Sequence, residues 1–459
     1  MTNFVFYDTE TTGKDHRDFI QVIQVASILT NSHLEQINDM DLSCRPLPWT
    51  LVTAGALLTN KKYDTFNNPN THYDMTCQWF NVWSKWCAQE PATFVTYNGL
   101  FFDEEIIRRQ FYWNLINPYI TNTNGNARLD LLPKMYVLGK FYEDKFTIPQ
   151  INNKPSYKLE LLAKSLGMNT AKAHDALADC IFLLELQKLI KDIAPNFYQE
   201  TISSCSKTNH KESLINNVLH LNVTRFGNYY PFTALSSYMY DHHEIPIFNL
   251  NFDPQDYINM SLGELESAIF NSKDSPIKWI KLGKTQPTVT YNSLKNDDVD
   301  LVLDDNYLMR AEQLKDNQNF IDKLFELRTA QEMPQYDNSS YEQQLYSGGF
   351  PSNATYDAFN KFHQATTLDE KLRIINLLPE QRYKEFAWRI CSQTMPGDVP
   401  QDFIQYCHNL IDQRFNQDGP WPDATKELSN AKELLNSVTD QAEKACVKEV
   451  IDNIEKNLK

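Results

Sequence analysis

The chain has 459 residues, of which 42% are hydrophobic and 22% are charged, a balance typical of soluble globular proteins of about two to four domains. Its formal net charge of −16 excludes a protein that coats nucleic acid loosely through a basic surface, but not one with a confined binding channel. The sequence contains no CxxC pair, no leader-like N-terminus and no apolar run of about 18 residues. We therefore expect a cytoplasmic protein without a structural zinc ion or a membrane span.

Predicted strands and helices alternate in the N-terminal part of the chain, which indicates an α/β domain. Apolar runs rich in strand-forming residues predict strands at 4–7, 20–29 and 92–97. Apolar residues at helical spacing predict helices at 103–113, 159–166 and 176–190.

The remainder of the chain changes from a β-rich to a helical pattern. Polar stretches predict linkers at 193–209 and 335–343. Between them, short apolar runs predict a small β-containing domain with strands at 219–223, 245–250 and 288–291, followed by helix at 306–333. From Tyr356 onward the pattern is helical. We expect three domains, with the bounds 1–195, 196–336 and 340–459.

The first candidate site lies where the first predicted strand ends, at Asp8-Thr9-Glu10. Residues i and i+2 of a strand point to the same side, so both carboxylates can face one site. Two carboxylates held close together repel each other unless a cation lies between them, which is how proteins gather hard divalent metals. On its own, the tripeptide is explained equally well as an ordinary polar strand end.

Two further motifs supply the remaining candidates. Asp103 opens a predicted helix, where an isolated Asp more often caps the helix than binds a metal. His174 precedes another predicted helix and Asp179 lies one turn into it, so both can approach one site from the helix end. A lone His near a helix start is more often structural. The three motifs together, in this order within one α/β domain, are much less expected by chance.

This combination resembles the DEDDh group of the DnaQ-like exonucleases, which use four carboxylates and a histidine on a ribonuclease-H-like sheet. The motifs read FYDTETTG at 6–13, YNGLFFDEE at 97–105 and AHDALAD at 173–179. The resemblance implies a 3′→5′ exonuclease that uses two Mg²⁺ ions, with Mn²⁺ as an expected substitute, and releases nucleoside 5′-monophosphates. Such a metal pair stabilises the attacking and leaving oxygens of a phosphodiester displacement.

The resemblance also assigns a role to each of the five residues. It implies that Asp8 bridges both ions, that Glu10 and Asp179 complete the tighter metal site, and that Asp103 helps to hold the second ion. It implies that His174 takes a proton from the attacking water, a role that suits a side chain which titrates near neutral pH.

Within this group, the chain is most similar to the exodeoxyribonuclease I family, which degrades single-stranded DNA from the 3′ end. The similar segments extend nearly to the C-terminus and read RRQFYWNLINPY (108–119), NGNARLDLL (124–132), KPSYKLELLAKSLG (154–167), YEQQLYSGGF (341–350) and QRYKEFAWRICSQTMPG (381–397). The resemblance implies a ribonuclease-H-like exonuclease domain, an SH3-like α+β domain and a helical C-terminal domain that enclose a channel for one strand. It also implies a role in DNA repair and recombination.

Several residues match substrate-contacting positions of that family. They are Glu10, Arg108, Tyr119 and Lys158, with Lys281 and Lys284 in a basic stretch of the middle domain that also includes Lys278. Lys158 stands where the family usually has arginine, so the charge is kept but the planar guanidinium fork is lost. The basic stretch is explained equally well as a solvated face.

Other functions remain open at this point. The same motifs serve proofreading and RNA-trimming exonucleases, although the long extension after residue 195 counts against a minimal trimming enzyme. A catalytically silent single-strand-binding module is a third possibility, against which the intact carboxylates and His174 count. The resemblance implies a monomer whose partners are single-stranded DNA and the acidic C-terminal tail of single-stranded DNA-binding protein, but the sequence identifies no pocket for that tail.

Overall fold

A computed structural model describes residues 2–171, 173–236, 243–331 and 340–459. Within these ranges the strands are β1 Asn3–Thr11, β2 Val22–Thr30, β3 Gln36–Ser43, β4 Ala92–Thr96, β5 Ala127–Asp130, β6 Gln150–Ile151, β7 Lys154–Pro155, β8 His220–Val223, β9 Tyr229–Ala234, β10 Glu244–Asn249, β11 Ile277–Lys281 and β12 Thr288–Thr290.

The α-helices of the same ranges are α1 Ala54–Asn60, α2 His72–Cys87, α3 Asp103–Trp113, α4 Leu131–Phe141, α5 Leu159–Ser165, α6 Ala176–Ile193, α7 Pro195–Ser203, α8 Lys207–Asn216, α9 Gln255–Ile258, α10 Leu262–Phe270, α11 Tyr291–Asn296, α12 Asp305–Lys315, α13 Gln318–Thr329, α14 Asn353–Gln364, α15 Leu368–Leu377, α16 Gln381–Thr394, α17 Gln401–Asn416, α18 Ala424–Ser437 and α19 Gln441–Asn457. None of these described helices is long and apolar enough to cross a membrane.

The N-terminal sheet has five strands in the order β3-β2-β1-β4-β5, with β1 antiparallel to β2 and parallel to β4. Side chains alternate along β1, because successive residues of a strand point to opposite faces. Phe4 and Phe6 enter a core shared with α4 and α6, whereas Val5 and Tyr7 enter a core shared with α2 and α3. The predicted α/β domain is therefore confirmed, and its central strand is β1.

The second sheet is antiparallel, in the order β11-β10-β9-β8-β12, and helices α10, α12 and α13 pack on it. This is the predicted β-containing unit, and its core includes Phe248 and Phe320. The core beneath β1 continues through Phe197 to Leu221 and Val289. The first two units therefore share buried apolar side chains.

The C-terminal region is helical, as predicted, and it contacts the N-terminal unit in two places. Helices α14 to α16 pack on Tyr112 and Trp113 of α3. Helices α18 and α19 pack on Leu57 of α1, with Val447 and Val450 among the buried residues. The C-terminal helices thus pack on the N-terminal unit through two separate clusters, one at α3 and one at α1.

Some predicted elements differ from the structure. The predicted linker at 193–209 is wrong, because α7 begins on a proline at its first position and buries Phe197 and Tyr198, and α8 follows it. Part of the second predicted linker lies outside the described residues, and Tyr341–Leu345 forms a 3₁₀ helix. The domain bounds at 195, 336 and 340 stay predictions, and residue 336 lies outside the described residues.

Candidate active site

Three acidic side chains meet at the end of β1. Among the described residues, Asp8, Glu10 and Asp179 form a group whose ligand oxygens all lie within 4.8 Å of one another. The alternation along β1 places Asp8 and Glu10 on the side that faces α6, and Asp179 lies in the first turn of α6. These three residues are called the carboxylate trio below. Strand and helix geometry alone accounts for their convergence.

The start of α6 is fixed by a cap and by a contact with β2. The side chain of Asp175 accepts a hydrogen bond from the backbone N–H of Ala178, which satisfies one of the free N–H groups at the helix start. Gln24 of β2 accepts a hydrogen bond from the backbone N–H of Ala176. This end of α6 is thereby held against the sheet, and Asp179 with it.

Asp103 lies beside the trio but is held differently. Thr9 points to the opposite face of β1 from its two acidic neighbours, and its hydroxyl donates to the Asp103 carboxylate. The residue that caps α3 is Phe102, which makes no side-chain capping bond, so the capping explanation of Asp103 is wrong. A Cβ on Gly99 would lie 2.8 Å from Oδ2 of Asp103, so only glycine leaves room for the carboxylate there.

Burial among other acidic groups dominates the electrostatics of the site. It raises the pKa of Glu10 to about 8, with the neighbouring Asp179 adding to the effect and Lys62 opposing it. Burial also raises the pKa values of Asp103 and Asp179 to about 7, and that of Asp8 well above its usual range. These carboxylates therefore hold protons near neutral pH unless a cation replaces them.

His174 lies in the turn that leads into α6, in the left-handed backbone region with φ of 66°. Its side chain is about half exposed, and Nε2 lies 3.9 Å from Oε2 of Glu160. Its backbone makes a hydrogen bond to Asp179. The imidazole is therefore accessible to solvent, and the backbone of the same residue contacts the trio through Asp179.

Sequence reasoning did not identify several residues that support the site. Asp130, at the end of β5, accepts hydrogen bonds from the backbone N–H groups of Asn98 and Leu100 and so fixes the loop before Asp103. Lys61 and Lys62, just after α1, contact the turn that carries His174. No local pattern marks these residues, because their contacts join segments that are far apart in the chain.

The predicted substrate-contacting residues lie in different environments. Arg108 is buried and binds Glu104 at 2.9 Å, and its guanidinium lies 5.3 Å from the centre of the Tyr119 ring. Lys158 is exposed at the start of α5, two residues before Glu160.

In the second unit, Lys278 and Lys281 are exposed on β11. The ammonium of Lys284 lies 4.7 Å from the centre of the Phe101 ring, which is itself 58% exposed. The structure thus brings Lys284 close to the loop before Asp103. The roles of all these residues in substrate contact stay predictions.

Residues 5–186 match the family described as Exonuclease (RNase_T). The chain is also similar to exodeoxyribonuclease I of Escherichia coli strain K12, at 24% identity over 375 residues that cover 76% of this chain and 77% of that protein. The segment that matches the exonuclease family contains all five residues predicted from the motifs.

Solved structures show the same fold over the whole chain. The crystal structure of E. coli Exonuclease I in complex with a dA16 oligonucleotide matches with a TM-score of 0.80 at 20% identity, covering 100% of both chains. The crystal structure of SSB/Exonuclease I in complex with inhibitor CFAM matches with a TM-score of 0.78 at 20% identity, again covering 100% of both chains. The predicted resemblance to exodeoxyribonuclease I and the predicted fold class are therefore confirmed.

Proposed function

We propose that this protein is a metal-dependent exonuclease that removes nucleoside 5′-monophosphates from the 3′ end of single-stranded DNA. The observation that carries the proposal is the convergence of Asp8, Glu10 and Asp179 within 4.8 Å, on an exonuclease domain. Three buried or half-buried carboxylates at this distance form a stable group only if cations or protons neutralise them.

The residues of the site fit a hard divalent cation. All the donors in the trio are carboxylate oxygens, which Mg²⁺ and Mn²⁺ prefer over the nitrogen and sulfur ligands of softer metals. Asp8, Glu10 and Asp179 would hold one ion, and Asp8 with Asp103 would hold a second. When bound, the ions would stabilise the negative charge that develops on the attacking and leaving oxygens. We assign Mg²⁺ as the natural ion.

His174 is proposed to act as the general base. It would accept a proton from the attacking water while the bond between phosphorus and the 3′ oxygen of the preceding nucleotide breaks, which leaves the phosphate on the 5′ side of the released nucleotide. The half-exposed imidazole suits this role, because it can contact solvent and lies in a turn whose backbone bonds to Asp179.

The assignment of single-stranded DNA as the substrate rests on the fold and on one lysine that lies beside an exposed aromatic ring. The matching E. coli structure is a complex with a dA16 oligonucleotide, and this chain covers the whole of that fold. Lys284 and the exposed Phe101 lie together at the approach to Asp103, where a base can stack on the ring and a phosphate can meet the ammonium. We also propose that the protein acts as a monomer in DNA repair and that it binds single-stranded DNA-binding protein.

The test is a nuclease assay with three substrates of one sequence: single-stranded DNA, duplex DNA and RNA. With Mg²⁺ and a 5′ label, the single strand should shorten in single-nucleotide steps, much faster than the duplex or the RNA. A substrate blocked at its 3′ end should stay intact. Equal rates on DNA and RNA would indicate a trimming enzyme. Binding without cleavage in both Mg²⁺ and Mn²⁺ would indicate a silent module.

His174→Ala tests the general base separately. It should lower kcat by about 10²–10⁴-fold, the usual contribution of general acid–base catalysis, and leave binding of single-stranded DNA nearly unchanged. A loss of binding with kcat retained would contradict the assignment.

A further inference from the structure

Two lysines follow α1 and reach the turn that carries the general base. Lys61 donates hydrogen bonds from Nζ to the backbone carbonyls of Ala171 and Ala173, both at 3.2 Å. Lys62 places its Nζ 2.9 Å from Oδ2 of Asp175. The two ammonium groups thus hold the chain immediately before and immediately after His174. We call Lys61 and Lys62 the lysine pair.

The turn held by the lysine pair is also held by the burial of Ala173 and by a hydrogen bond from the backbone of His174 to Asp179. His174 adopts φ of 66°, a left-handed conformation that costs energy for a residue with a side chain, so surrounding contacts must maintain it. Gln24 supplies one such contact, with Asp175 and with the start of α6. The imidazole is about half exposed, so packing alone does not fix its position. The contacts of Lys61 with the backbone before His174, and of Lys62 with the side chain of Asp175 after it, are therefore further restraints on where the ring lies.

Helix α1 is in turn fixed by the C-terminal helices. Leu57 is fully buried against α18 and α19. Glu427 of α18 accepts a hydrogen bond from the backbone N–H of Ala54 at 3.2 Å, and Tyr63 donates to Glu443 of α19 at 3.4 Å. The position of the lysine pair therefore depends on the C-terminal region, which itself contributes none of the five residues of the site.

We propose that Lys61 and Lys62 are positioning residues, which place His174 against the carboxylate trio and transmit the packing of the C-terminal helices to the general base. This inference rests on the proposed function. A displacement of about 1 Å at a reacting group can lower a rate by about a hundredfold, so loss of the pair should act on turnover.

Direct contact with DNA phosphates is the competing role for these lysines. The geometry favours positioning, because Lys62 is already ion-paired with Asp175 and Lys61 already donates to two carbonyls. The two roles differ in kinetics. A phosphate contact contributes mainly to KM and to its salt dependence, whereas a positioning contact contributes to kcat.

The experiment compares the parent with Lys61→Met/Lys62→Met, with Lys62→Arg, and with Lys85→Met as a control at an exposed lysine near the end of α2. Steady-state kinetics on single-stranded DNA and melting temperature are measured for each. The double variant should lose about tenfold to a hundredfold in kcat, with KM and its salt dependence unchanged. Lys62→Arg should retain most of the activity, since it keeps the charge that pairs with Asp175, and Lys85→Met should match the parent.

A double-mutant cycle shows whether Lys62 acts through Asp175. Asp175→Asn keeps an oxygen that can cap α6 but loses the charge. The effects of Lys62→Met and Asp175→Asn on kcat should therefore be less than additive. Additive effects, an unchanged kcat in the double variant, or a loss confined to KM would each overturn the inference. An inactive parent would instead overturn the proposed function, so the two failures are distinguishable.

Discussion

Glu10 of the carboxylate trio and Glu342 are both buried, yet their pKa values are shifted in opposite directions. Burial raises the pKa of Glu10 to about 8, with Asp179 and other acidic groups adding to the effect and Lys62 opposing it. Burial would also raise the pKa of Glu342, but the guanidinium groups of Arg389 and Arg414, both 2.7 Å away, lower it to about 2. At Glu342 two paired guanidinium groups outweigh the effect of burial, whereas at the trio the nearby Lys61 and Lys62 do not.

The difference between the two pKa shifts distinguishes a charge that stabilises the fold from a cluster of charges that binds a ligand. Glu342 connects the segment after the second unit to α16 and α17, and its charge is neutralised within the chain. The trio is left without full neutralisation, which folding alone does not favour, and such a cluster indicates a site that a ligand completes. On this comparison, removing a charge should have opposite effects on stability at the two centres.

The largest expected effect is on activity, at Asp8. Asp8→Asn should abolish Mg²⁺-dependent release of mononucleotides, because it removes the ligand shared by both proposed ions. In the presence of a chelator at neutral pH the same variant should melt at a higher temperature than the parent. Burial raises the pKa of Asp8, so folding of the parent must protonate this carboxylate, whereas Asn is already neutral. Nuclease assays and thermal denaturation measure the two effects.

Asp39→Asn is the matched control for that variant, since Asp39 is exposed on β3 of the same sheet. It should change neither activity nor melting temperature. Retained activity in Asp8→Asn would contradict the metal-site assignment. A lower melting temperature in the chelator would contradict the comparison of the two centres, even if activity were lost.

Glu342→Gln should have the opposite effect on stability. It leaves two buried guanidinium groups without their carboxylate, and breaking a buried pair by removing one partner costs about 3–5 kcal/mol. Urea denaturation gives the change in the free energy of unfolding. Glu433→Gln, at an exposed position of α18, should be neutral. A change in Glu342→Gln below about 1 kcal/mol would show that the buried pair is not structural.

The sequence predicts the elements and motifs that local chemistry determines. Helix α3 has the predicted bounds at 103 and 113, because its apolar residues follow the helical period and charged residues alternate with them. Strand β3 was not predicted, since it lies at a sheet edge and reads QINDMDLS, with most side chains exposed. The predicted linker at 193–209 is helical because buried contacts of Phe197 and Tyr198 outweigh its polar composition.

For the site, the order and spacing of the motifs predicted five residues, and the family resemblance implied that Glu10 and Asp179 join Asp8 at one ion while Asp103 helps to hold a second. The structure groups Asp8, Glu10 and Asp179, and it places Asp103 on a separate hydrogen bond from Thr9. The lysine pair could not be predicted, because its contacts span about a quarter of the chain and leave no periodic signal.

Metal affinity should depend on pH at the trio. A protonated carboxylate does not bind a metal, and the pKa values of Glu10 and Asp179 are raised to about 8 and about 7. Apparent affinity for Mg²⁺ should therefore rise as pH increases from about 6 to about 8, by up to about tenfold per unit for each proton displaced. Calorimetric titration in two buffers of different ionisation enthalpy counts the protons released. Binding without proton release would contradict the raised pKa values.

The smallest expected effects are opposite pH dependences of stability in the metal-free protein. At Glu10, the folded pKa of about 8 exceeds the ordinary value of 4.5, so the native state binds more protons and stability is lost as pH rises through that window. At Glu342, the folded pKa of about 2 is below 4.5, so its contribution is present above pH 4.5 and is lost as pH falls towards 2.

Urea denaturation in a chelator across this pH range measures both pH dependences. Glu10→Gln should reduce the pH dependence of the free energy of unfolding only in the neutral part of the profile. Glu342→Gln should reduce it only in the acidic part. Buried His72 and His220, whose pKa values burial lowers to about 4, destabilise all the variants equally between pH 6.5 and 4, so they cancel in the differences. If both variants changed the same part of the pH profile, the opposite pKa shifts of Glu10 and Glu342 would be contradicted.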